Sequence, residues 1–202
     1  MAEHRPRAQT PAGIVSNPWL WYASRACGVV TMVLLTVVVL LGLFTASGSR
    51  PHDSSPTVAM GLHRTLGLGI AVFLAAHVTT AVIDSYVPIG AISAVAPFTA
   101  DYHRRWVGLG TIAFDLLVAV VLTSLLRHRL PARVWRVVHG ATYVLAPIAV
   151  IHGLMMATTK QPILSAVTLG CAIAMASGAI WRWLSRPADA RRRADLSSGE
   201  WT

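Results

Sequence analysis

Charge is scarce in this chain of 202 residues: 12% are charged and only eight are acidic, against 54% hydrophobic. That shortage excludes a solvated repeat, an acidic tail protein and an ordinary globular enzyme of this length. Cysteine is scarce too. Cys27 and Cys171 each lie in an apolar segment, fit no C-x-x-C spacing and read as small buried hydrophobes. A dinucleotide fingerprint is also missing: Gly67-Leu68-Gly69 lies within an apolar run and does not follow a strand. Lysine occurs once, at Lys160, so the net charge of +9 is carried by arginine. These arginines sit at the ends of apolar runs and in the tails, which fits membrane topology and not a nucleic-acid face.

What the chain has in abundance is long apolar stretches. Five qualify as spans: Trp19 to Ala46, Gly61 to Ile83, Trp106 to Leu126, Val134 to Ala157 and Ile163 to Leu184. Each reaches the roughly 20 residues needed to cross a ~30 Å hydrocarbon core. Backbone polar groups cannot be left open in lipid, so the expected fold is an all-α, five-helix transmembrane bundle. The first run is too long for a secretory leader. Residues 1–17 and 185–202 are polar and rich in Pro, Arg and Ser, and read as disordered tails, the second one basic and cytoplasmic. The stretch Ser85–Arg105 is largely apolar but interrupted by Pro88, Gly90 and Pro97, as a re-entrant or interfacial segment would be.

Five spans put the termini on opposite sides. With the C-terminus inside, eleven arginines fall on the inner side and six basic residues on the outer, so the positive-inside bias predicts N-out, C-in. Trp19, Trp21 and Trp106 would then form an outer aromatic belt, and Trp135, Trp181 and Trp183 an inner one.

Four histidines lie inside these spans, as two pairs: His63 and His77 on the second, His139 and His152 on the fourth. An imidazole in a bilayer marks function by default. The two spans run in the same direction, and separations of 14 and 13 residues correspond to about 21 Å and 19.5 Å of rise. The pairs therefore lie level across the bundle, one near each face. On an ideal helix His63 and His77 share a face, whereas His139 and His152 fall about 140° out of phase. Pro147 lies between the latter two and is placed to kink the helix. Gly67, four residues after His63, and Gly140 and Gly153, each following a histidine, suit close approach of a flat group, or equally plain small-residue packing. Level imidazole pairs point to haem iron held between helices. A zinc ion would want one compact tetrahedral cluster.

The pattern His63-x13-His77, one intervening span, then His139-x12-His152 resembles the ferric reductase-like transmembrane domain family. That family includes ferric reductases, NADPH oxidases and the haem subunit of a methionine sulfoxide reductase system. The resemblance covers residues 18–184. It implies two stacked b-type haems, one bound by His63 and His139 (inner) and one by His77 and His152 (outer), passing electrons singly across the bilayer. It also implies an oxidoreductase component of a plasma membrane, incomplete alone. Many relatives continue into a flavin and nicotinamide domain, of which these 202 residues show no FAD or NAD(P) site. The implied donor is a cytoplasmic flavoprotein or membrane quinol. The acceptor, outside, stays open between ferric chelate, quinone, oxygen and an exported reductase. A non-catalytic haem sensor or assembly protein is the alternative, and a proton-relaying transporter a third.

Haem propionates need cationic or hydrogen-bonding partners. Arg64 and Arg136 flank the inner pair, and Arg25 lies about six residues into the first span, toward the outer pair. Arg104 and Arg105 fit headgroup contact as well as the outer haem. Asp115, deep in the third span, is expected first to pair structurally, with Arg25 as a candidate, and otherwise to assist proton uptake or sit neutral between helices. His4, His52, His103 and His128 read as solvated.

Overall fold

The computed structural model describes residues 18–45, 55–84, 87, 89–157 and 161–199. Those residues form helices and turns, with no strand among them. The helices are α1 (Pro18–Thr45), α2 (Ser55–Ile83), α3 (Arg104–Leu125), α4 (Ala132–Gly140), α5 (Thr142–Met156) and α6 (Pro162–Gly199), with a 3-10 turn at Ala91–Ala94. Five segments are long and apolar enough to cross a membrane: Trp19–Thr45, Thr57–Ile83, Arg104–Leu125, Ala132–Met156 and Pro162–Ser185. The expected all-helical five-span architecture is therefore what forms.

Local chemistry sets the helix ends. Pro162, at the first position of α6, has no N–H to orphan there, and Pro131 just precedes α4. Inside the helices, threonine hydroxyls donate back to the carbonyl four residues earlier, as in Thr31 to Cys27 and Thr36 to Met32. A hydroxyl satisfied within its own helix can face lipid or core at little cost.

The spans close a ring in chain order. α1 packs along α2, α2 touches α3, α3 packs along α4 and α5, α5 meets α6, and α6 returns to α1. Small residues allow the tight contacts: a Cβ on Gly178 of α6 would stand 2.5 Å from Leu40 Cδ2 of α1. The interior is slim. One buried group is Met32, Ala146, Cys171 and Met175; the other is Leu35, Ile70, Leu117 and Leu145. Outward faces are as apolar as the inside, with Val72, Ile173 and Ile180 all exposed, the mark of helices solvated by hydrocarbon.

Two features differ from the sequence reading. α6 continues as helix to Gly199, so most of the stretch from 185, expected to be a disordered tail, has helical backbone. Hydropathy marks where an apolar run ends and is silent on where hydrogen bonding ends. The fourth span breaks at Ala141, not at Pro147: Ala141 N–H donates to Val138 O three residues back, and α5 starts anew at Thr142. Such a tightened turn advances the helix phase by roughly 20° per residue, in the direction the 13-residue histidine spacing needs. Pro147 sits inside an otherwise continuous α5.

Candidate functional site

The structure brings the four histidines together as the two level pairs. His63 and His139 have ring centroids 6.1 Å apart, and His77 and His152 6.4 Å apart. The His77 tier lies toward the end of the bundle where α1 begins, here called upper, and the His63 tier is the lower.

Each ring is aimed by a hydrogen bond at Nδ1. His77 donates to Ser24 O at 2.7 Å, His152 to Trp106 O at 2.7 Å and His63 to Val38 O at 3.1 Å. A carbonyl only accepts, so these three nitrogens carry the proton and Nε2 keeps its lone pair free. His139 differs. Its Nδ1 meets the Ser124 hydroxyl at 3.5 Å, and its ring stacks on Trp135 at 4.9 Å, with the Arg127 guanidinium over that indole.

The carbonyls are reachable because of glycines that sequence reading did not single out. Gly28 lies against His77, Gly42 against His63 and Gly110 against His152. In each case the accepting carbonyl belongs to the residue four earlier: Ser24, Val38 and Trp106. A side chain at the glycine would cover that oxygen and push the ring away. A Cβ at Gly110 would come within 2.5 Å of His152 Cε1, and one at Gly28 within 3.0 Å of His77 Nδ1. Gly28 and Gly42 are 14 residues apart on α1, and Gly110 and Ser124 are 14 apart on α3. These spacings repeat that of His63 and His77, so the signal was present in the sequence. By contrast Gly67 and Gly140 have no atom within 4 Å of a Cβ position, and Gly153 serves packing against Thr168 and Met32.

The tiers are held apart by an aliphatic layer. Leu35 lies midway between Gly28 and Gly42, Ile70 midway between His63 and His77, and Leu117 midway between Gly110 and Ser124. Leu145 takes the same level between His139 and His152, and the four form one buried cluster.

Two imidazoles gripping one ion from opposite sides, each with a metal–nitrogen bond of about 2.0–2.1 Å, would place their centroids roughly 6.4 Å apart; a tetrahedral angle would draw them to roughly 5 Å. Both observed separations match the in-line arrangement. Among the described residues no group of three or more His, Cys, Asp or Glu gathers to hold an ion. Each pair would thus offer two imidazole nitrogens to a metal whose remaining donors come from elsewhere.

The upper tier opens into a cavity of about 250 Å³ whose walls include Arg25, His77, Asp84, Ser93, Tyr102 and His152. Buried Asp84, just past the last turn of α2, was not singled out from sequence. Arg25 is committed to the fold. It donates to Met156 O at 2.9 Å and Gln161 Oε1 at 3.4 Å, and lies over the Trp21 ring. The expected Arg25–Asp115 pair does not form, because Asp115 points outward from α3. Arg64 and Arg136 are exposed, Arg136 donating to Ala132 O of its own helix. The loop before α3 packs over the upper tier: Thr111 donates to Ser93 O, Arg104 to Phe98 O, and Phe98 lies on Gly108. Residues 85, 86 and 88 of that loop lie outside the described residues.

Fold and site together define a multi-pass membrane protein carrying two imidazole pairs at two levels of its bundle. The family model "Ferric reductase like transmembrane component" matches residues 27–150, more than half of the chain. The chain belongs to the ferric reductase-like transmembrane family. The match takes in His63, His77 and His139 and stops just short of His152. Neither the curated proteins nor the solved structures contain a significant match.

Proposed function

We propose that this chain is a transmembrane electron-transfer subunit that holds two b-type haems and passes electrons singly between the two faces of a plasma membrane. The observation that carries the reading is the pair of imidazole centroid separations, 6.1 and 6.4 Å, each near the value for two rings sharing one metal, at two levels of one bundle. His63 with His139 would hold the lower haem and His77 with His152 the upper. Haem held by these imidazoles would supply one-electron chemistry. The residues of the chain do the rest. Three backbone carbonyls fix ring direction and make the imidazoles more basic donors, and Gly28, Gly42 and Gly110 give the rings room. The aliphatic layer separates the tiers with no group that could trap a charge. Arg25 lines the upper cavity, where its charge would face an anionic propionate while it keeps its bonds to Met156 and Gln161, and Arg64, Arg136 and the open space beside Gly67 would serve the lower one.

Charge distribution supports N-out, C-in, making the lower tier cytoplasmic and the upper tier external. Electrons would enter below from a cytoplasmic flavoprotein or membrane quinol and leave above, under the Ser93–Tyr102 loop, to an external acceptor: ferric chelate, quinone, oxygen or an exported reductase. The experiment is vectorial. The haem-loaded chain is placed in vesicles with ferricyanide trapped inside and an impermeant reductant outside. Reduction of the trapped acceptor that needs both haems supports the reading. A haem-replete chain that moves no electrons would instead be the sensor or assembly protein.

A further inference from the structure

Asp115 stands at the middle of α3, eleven residues after Arg104 and ten before Leu125, or roughly 15 Å from either end. It faces away from the interior. The opposite side of α3 builds the cavity wall, through Gly110, Ala113 and Leu117. Asp115 is exposed, in a stripe with Val118, Ala119 and Leu122, the spacing of a single helix face. A carboxyl is too short to reach either interface from that depth, and a lipid-facing carboxylate at mid-membrane is among the costliest arrangements a bilayer allows.

Among the described residues, no cation is placed to answer it. Arg25 is engaged with Met156 and Gln161. Arg104 and Arg105 sit at the end of α3, and exposed Arg64 lies in the first third of its span. A second copy packed through the same stripe would set carboxyl against carboxyl. A cation that suits this face would then be supplied by another chain. Ala119, one turn from Asp115, lets a neighbouring backbone approach closely.

We propose that the Asp115–Val118–Ala119–Leu122 stripe seats a transmembrane helix of a different polypeptide, one bearing a basic side chain (Lys, Arg or His) at mid-membrane. The proposal requires a membrane-embedded chain and does not depend on haem.

The test places a photo-crosslinking amino acid at Leu122, with Ile173 on the exposed face of α6 as control, in the full chain in its native membrane. The expected result is one discrete heterologous adduct at 122 and none at 173, with the linked peptide lying in an apolar span that contains a basic residue. Asp115→Leu should cut the adduct about fivefold or more, the factor an interhelical polar contact supports, with the haem spectrum unchanged. If Asp115→Leu does not accumulate, Asp115→Asn should weaken the adduct in the same direction. An adduct of twice the chain's mass, no protein adduct at all, or an adduct indifferent to both substitutions would overturn the proposal. Haem content is read separately, so its absence would sink the functional reading and leave this one standing.

Discussion

Adding one methyl group at Gly110 should be enough to dismantle the upper tier. The Cβ of Gly110→Ala would lie 2.5 Å from His152 Cε1, 2.7 Å from Nδ1 and 3.0 Å from Nε2. Non-bonded carbons normally rest about 3.5–4.0 Å apart, so the ring must retreat by roughly 1 Å. It has no such freedom. Its Nδ1–H bond to Trp106 O is 2.7 Å long, and such bonds fail beyond about 3.2 Å. Metal–ligand distances tolerate only about 0.2 Å. The alternative, spreading α3 from α5, costs about 1–3 kcal/mol as over-packing does generally. The geometry also predicts a graded series. A Cβ at Gly28 stands 3.0 Å from His77 Nδ1, one at Gly42 stands 3.4 Å from His63 Cε1, and one at Gly67 meets nothing within 4 Å. Damage should therefore fall in the order Gly110→Ala, Gly28→Ala, Gly42→Ala, with Gly67→Ala like the parent. The assay is the reduced-minus-oxidised spectrum with haem per chain in purified protein. Gly110→Ala should lose about half the low-spin haem and keep the lower site. A Gly110→Ala chain that retains both low-spin haems, or a Gly67→Ala chain more damaged than it, would refute the reasoning.

Three further outcomes follow from the same geometry. His77→Ala and His152→Ala should give matching spectra that lack the upper haem, and His63→Ala and His139→Ala matching spectra that lack the lower; a pairing that crosses tiers would contradict this assignment. Arg25→Gln removes a cation from the upper cavity, so redox titration should show the upper haem's midpoint fall while the lower one stays; equal movement of both would place Arg25 in the fold alone. Leu145→Ala empties a site only 1% exposed and should cost about 2–5 kcal/mol, seen as a lower unfolding temperature in detergent, whereas Val118→Ala on the exposed face of α3 should change little.

The spans and the histidine tiers were legible in the sequence because both are one-dimensional signals. An apolar run of ~20 residues marks a span wherever it packs, and His63 and His77 share a face by helix arithmetic alone. The partners of those histidines were not legible. That Ser24, Val38 and Trp106 accept from them depends on how α1 lies against α2 and α3 against α5, which no single helix encodes. The trace left in sequence was a spacing: Gly28 to Gly42 and Gly110 to Ser124 repeat the 14-residue step of His63 to His77. Pro147 was the conspicuous helix breaker, yet the break falls at Ala141, between α4 and α5, and α5 runs through the proline. Arg25 found a backbone carbonyl and an amide, not the carboxylate, because Asp115 lies on the face of α3 turned away from the interior.

The most direct test of the account is the haem content of the purified chain, read as pyridine haemochrome and iron per polypeptide with the reduced spectrum. Two in-line imidazole pairs predict a value near two, with low-spin b-type bands. A value near zero in folded, monodisperse protein would contradict the central claim.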